Sequence, residues 1–165
     1  MKYIIILLAA FFLFVSGCGT QKSTTTTTVK GNDFTLEQLG GGSITLSHLK
    51  GKVVLVDFWA TWCPPCRAAI PHLVKMYDTY KEQGLEILGV SLDQTKDGLP
   101  AFVNEYKITY PILLGNQDVA KTYDVQGIPT LVAFDKKGKI AFREVGFSED
   151  NATELEQKVL GLLNQ

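Results

Sequence analysis

The stretch WATWCPPC at residues 59–66 sets Cys63 and Cys66 three positions apart with two prolines between them. Three chemistries fit such a pair: part of a metal clasp, a structural staple, or a dithiol that makes and breaks its own disulfide. A structural zinc site needs about four ligands, and the other candidates are Cys18, His48 and His72, scattered along the chain. A staple between such close residues closes only a very short loop and constrains little. The redox pair is the reading to develop.

With Cys63 at a helix N-cap, Pro64 takes the first helical position, where its missing N–H costs nothing, and Pro65 is tolerated for the same reason. Cys66 then falls at the third position. The Cys63 sulfur can accept from backbone N–H near Cys66 at the positive end of the helix dipole, and both effects favour thiolate. Lowering a thiol pKa from ~8.5 to ~7 raises the thiolate fraction at neutral pH roughly sixteenfold. Intrinsic nucleophilicity falls about fivefold, so attack improves only about threefold. The larger gains are a better leaving group and a second thiol held adjacent. Cys63 is therefore expected to attack a partner disulfide, as the more exposed sulfur, and Cys66 to resolve the mixed disulfide. Asp57, the only ionisable residue in VVLVDFW (53–59), is the candidate proton acceptor for Cys66. Burial in a central strand would raise its pKa into a useful range. The competing reading is an Asp at the solvated end of a strand.

These residues need a frame. VVLVDFW is a near-continuous apolar run, which suits a central strand covered on both faces. A helix is predicted from Cys63 to about Gln83, ended by Gly84, with Ile70, Leu73, Tyr77 and Tyr80 as its apolar stripe and Pro71 as a kink. Ahead of the central strand, 34–49 reads as a hairpin around Gly40-Gly41-Gly42. Beyond it come a strand at 85–92, a helix near 98–107, a short strand at 110–114 and a helix near 117–123. GIPTLVAF (127–134) and IAFREV (140–145) form a second hairpin, and a helix follows Ser148. The order predicts one α/β domain with a mixed sheet.

The 165 residues are 45% hydrophobic and 20% charged, with a formal charge of −1. That leaves no electrostatic reason to expect nucleic acid. Lys2 and the apolar run from Tyr3 to Val15 read as a signal peptide over 1–17, since a membrane span needs about 20 apolar residues. A spanning anchor is the competing reading. Residues 18–31, with five consecutive threonines and few apolar side chains, are expected to be a flexible tether, and 32–165 the folded domain. Export would place the cysteines where disulfides persist.

VDFWATWCPPC, Pro71 and GIPT (127–130) together resemble the thioredoxin fold. The N-terminal hairpin and the extra helix and strand between Leu92 and Gly127 are similar to the membrane-tethered TlpA/ResA-like thiol–disulfide oxidoreductases. The resemblance spans about 32–165. It implies a thioredoxin-like sheet, a cis peptide between Ile128 and Pro129 beside Cys63, and a substrate-binding surface of Trp59, Trp62, Ile128 and Pro129. Val15-Ser16-Gly17-Cys18 resembles a bacterial lipobox, which implies cleavage before Cys18 and lipid on that cysteine. The family further implies reduction of exported proteins, including the haem-site cysteines of apocytochrome c. It implies an upstream membrane thiol–disulfide donor and a periplasmic monomer; by ligand count no metal is expected, and no cofactor. Two departures stand out. The glutamate that several ResA-like proteins carry three positions after the second cysteine is Ala69 here, and the lysine that many thioredoxins place near the buried aspartate aligns with Gly89.

Two other functions compete. A peroxidase of the peroxiredoxin type shares the fold, but its usual threonine three positions before the cysteine is Ala60 here. A copper or zinc carrier lacks ligands.

Overall fold

The computed structural model describes residues 28–30 and 33–165. Among the described residues two sheets and four α-helices follow one another. A small antiparallel sheet comes first: β1 (Thr28–Lys30), β2 (Asp33–Glu37) and β3 (Ser43–Thr45), in that order. Thr28–Lys30 thus pairs with β2, with Val29 opposite Phe34. Strand structure thus begins inside the segment expected to be tether, where Asp33–Glu37 supplies a partner.

The main sheet holds β4 (Val53–Trp59), β5 (Leu85–Ser91), β6 (Ile112–Leu114), β7 (Thr130–Phe134) and β8 (Ile140–Val145), ordered β6-β5-β4-β7-β8. β4, β5 and β6 run parallel, while β7 and β8 complete the sheet antiparallel. All seven residues of β4 are buried, as its apolar run predicts.

Strand alternation sorts β4 onto two cores. Val53, Leu55 and Trp59 face the helices α1 (Pro64–Tyr80), α2 (Leu99–Glu105) and α4 (Glu149–Leu163). Val54, Val56 and Phe58 face α3 (Gln117–Thr122) and the small sheet, where they meet Phe34, Leu36 and Tyr123. Asp57 has the parity of the first set, so its carboxyl points beneath α1. The small sheet also guards an edge: the Leu39 N–H donates to the Ile112 carbonyl at 2.8 Å, covering β6.

α1 continues through Pro71 to Tyr80, followed by a 3-10 turn at Lys81–Gln83 that stops at Gly84 with φ +98°. Its buried face is Cys66, Ala69, Ile70, Leu73 and Met76. Tyr77 and Tyr80 lie only half-buried at its margin, their hydroxyls donating to Glu86 and Glu156.

Candidate active site

Cys63 is the N-cap of α1, with extended backbone (φ −93°, ψ 108°) and prolines in the first two helical positions. The Cys66 N–H donates to Cys63 Sγ at 3.2 Å. The sulfurs are joined at 2.04 Å, so this is the oxidised form. Cys63 is the more exposed of the two by very little, 3% against 1%. Both sit in the core that α1 buries against β4.

The peptide between Ile128 and Pro129 is cis, and the Ile128 carbonyl oxygen lies 3.6 Å from Cys63 Sγ. Pro129 is buried and its carbonyl accepts from Gly146 N–H, which leaves Ile128 as the half-buried member of that pair. Trp62 is 64% exposed beside the disulfide, free to meet a partner. Trp59 is not. It is fully buried, with its ring 5.2 Å from Phe102, so it supports the loop from below and corrects the expectation that it lines a substrate surface.

Asp57 is 1% exposed and its Oδ1 has no hydrogen-bond partner among the described residues. Burial pushes its carboxyl up to about 7, because the charged form loses its hydration with no cation opposite. The solvated-end reading is thereby excluded.

One group escaped the sequence reading. The Asp93 carboxylate accepts from the Thr61 N–H at 3.1 Å, the Thr61 hydroxyl at 2.7 Å and the Ser91 hydroxyl at 2.8 Å. With Arg67 Nε donating to the Thr61 carbonyl at 2.6 Å, this latch fixes the turn that delivers Trp62 and Cys63. An Asp after a strand carries no local signal of a partner 32 residues upstream.

Among the described residues no three His, Cys, Asp or Glu side chains are grouped so as to hold a metal ion. His72 packs its ring 5.9 Å from Phe147. Cys18 lies outside the described residues.

The family model for the AhpC/TSA family matches residues 28–143. A protein of Geobacillus kaustophilus named thiol-disulfide oxidoreductase ResA is 34% identical over 139 residues, covering 83% of this chain and 80% of that one. A protein of the same name from Bacillus thuringiensis is 37% identical over 115 residues, 69% of this chain. That match spans 66% of the relative's length. Among solved structures, the thioredoxin domain of a thiol-disulfide oxidoreductase from Bacteroides vulgatus superposes with a TM-score of 0.69 at 32% identity, covering 82% of this chain and 99% of that domain. The fold is thioredoxin-like, and the chain belongs to the AhpC/TSA family, among its ResA-like thiol–disulfide oxidoreductases.

Proposed function

We propose that this protein is a thiol–disulfide oxidoreductase that reduces disulfides of exported proteins through Cys63 and Cys66. The observation that carries the reading is the Cys63 sulfur, capping α1, accepting the Cys66 N–H and facing the Ile128 carbonyl.

In the reduced protein the Cys63 thiolate attacks one sulfur of a partner disulfide. A Cys63–partner bond forms, the partner's own S–S bond breaks, and the departing thiolate takes a proton. Cys66 then gives its proton to Asp57 and attacks Cys63 Sγ. The intramolecular disulfide closes, the partner leaves with both sulfurs reduced, and two electrons have passed to it. A turnover of this kind ends with Cys63 and Cys66 joined to each other, and the disulfide between them supports the reading. The names of the relatives support this chemistry. Apocytochrome c cysteines are the proposed substrates, and a membrane thiol–disulfide donor restores the dithiol. The domain acts as a monomer on the outer side of a membrane, held by lipid on Cys18. Among the described residues no helix is long and apolar enough to cross a membrane.

Trapping tests the function directly. Cys66→Ser is expected to accumulate partners on Cys63 that are released by reductant, and Cys63→Ala to lose insulin-disulfide reduction by at least a hundredfold. Recovery of no adducts, or turnover without Cys63, overturns the proposal. Peroxide consumption by Cys66→Ser would favour the peroxidase instead.

A further inference from the structure

Four buried side-chain polar atoms among the described residues have no hydrogen-bond partner in the protein: Asp57 Oδ1, Trp59 Nε1, Tyr110 OH and His72 Nε2. Three of them share one place. Asp57 and Trp59 have the same parity on β4, and Asp57 pairs across the ladder with Gly89 of β5. A Cβ on Gly89 would stand 3.0 Å from Tyr110 Cε2 and 3.1 Å from Trp59 Nε1. The tyrosine and indole edges thus converge over a floor with no side chain, next to the carboxyl.

Their chemistry is complementary. An indole N–H can only donate, a phenol can donate, and a carboxylate only accepts. Leaving such groups unpaired in a core is costly, and a bridging water between them would satisfy all three. Burial, then the nearby Asp57 charge, holds the Tyr110 phenol well above its ordinary range, so it remains a donor at any working pH.

We infer that Tyr110, with the Trp59 N–H, is the positioning residue for the Asp57 proton, standing over Gly89 where thioredoxins place a lysine. The inference rests on the reading of Asp57 as the acceptor for Cys66. A lysine would stabilise the carboxylate by charge, whereas the phenol and indole do so as neutral donors. The Asp57 carboxyl remains half-ionised near neutrality and can both take and release a proton. Other groups around it are few. α1 presents Cys66 to the same core, and α2 and α4 present Phe102, Leu155 and Val159. β5 brings Gly89, and β7 places Leu131 opposite Asp57. Tyr77 meets the Tyr110 ring at 6.1 Å, with its hydroxyl committed to Glu86. A surface groove of about 500 Å³, lined by Tyr77, Val103, Thr109 and Tyr110 among others, brings solvent to the outer side of the ring.

The test uses rapid mixing of the reduced protein with Ellman's reagent from pH 5 to 9. The first thionitrobenzoate released reports attack by Cys63, and the second reports resolution by Cys66. Tyr110→Phe is expected to raise the midpoint of the second phase by about one pH unit, the scale of a lost hydrogen bond to a charged group. The first phase should stay within twofold. Trp59→Phe, which deletes the other donor, should shift the midpoint the same way and serves if Tyr110→Phe does not fold. Tyr77→Phe should leave it in place. If Asp57→Asn keeps the wild-type midpoint, the reading of Asp57 falls and this inference with it. If Asp57→Asn abolishes the midpoint while Tyr110→Phe and Trp59→Phe leave it unmoved, only the inference falls.

Discussion

Asp57 is an acid placed where its own charge is unwelcome. Its folded pKa of about 7 lies above the ordinary 3.8, so the native state holds the proton more tightly than the unfolded chain. The sign follows: this group favours folding fully below about pH 4, and that contribution is lost as pH rises through 7. The interval corresponds to about 4 kcal/mol once the carboxyl is ionised. Asp57→Asn removes the titration. Urea unfolding of the oxidised protein between pH 4 and 8 is therefore expected to show the variant gaining about 2–4 kcal/mol on the wild type as pH rises. A difference that does not change with pH would mean that Asp57 is not strained by burial. The acid itself was legible, because one charge inside VVLVDFW has nowhere to go. Its companions were not. Tyr110 lies in a loop 53 residues away, and its place is set by sheet pairing.

At the scale of elements, local rules delivered the site. Pro64 and Pro65 can only open a helix, which makes Cys63 its cap, and an unbroken apolar run makes β4 central. Partners distant in sequence stayed hidden, as with the Asp93 latch onto Thr61. Gly89 shows the same limit, since its role appears only where β5 meets the Tyr110 loop. Ile112 Cδ1 would lie 2.7 Å from a Cβ there, closer than carbon atoms pack. Gly89→Ala should therefore cost about 1–2 kcal/mol through overpacking, a fall of roughly 3–8 °C in Tm. A thermal scan decides it. An unchanged Tm would mean that Tyr110, Trp59 and Ile112 are loosely held.

The whole molecule is a sheet filled on both faces, with the small N-terminal sheet sewn onto β6 and, preceding it, a segment proposed to end in a lipid. If Cys18 is that anchor, Cys18→Ala should move the protein from the membrane pellet to the soluble extracytoplasmic fraction, while the purified domain reduces insulin at an unchanged rate. Retention in the pellet would locate the attachment elsewhere. The fold class was readable from sequence. The near-burial of both sulfurs was not, because it depends on how the Thr61 turn, α1 and the Ile128 loop close around them. With only 3% of Cys63 uncovered, a partner sulfur is expected to arrive most readily on a yielding segment of backbone. Disulfides in slack peptides should therefore be reduced faster than those locked inside rigid bodies, and equal rates would mean that the covering loops open freely.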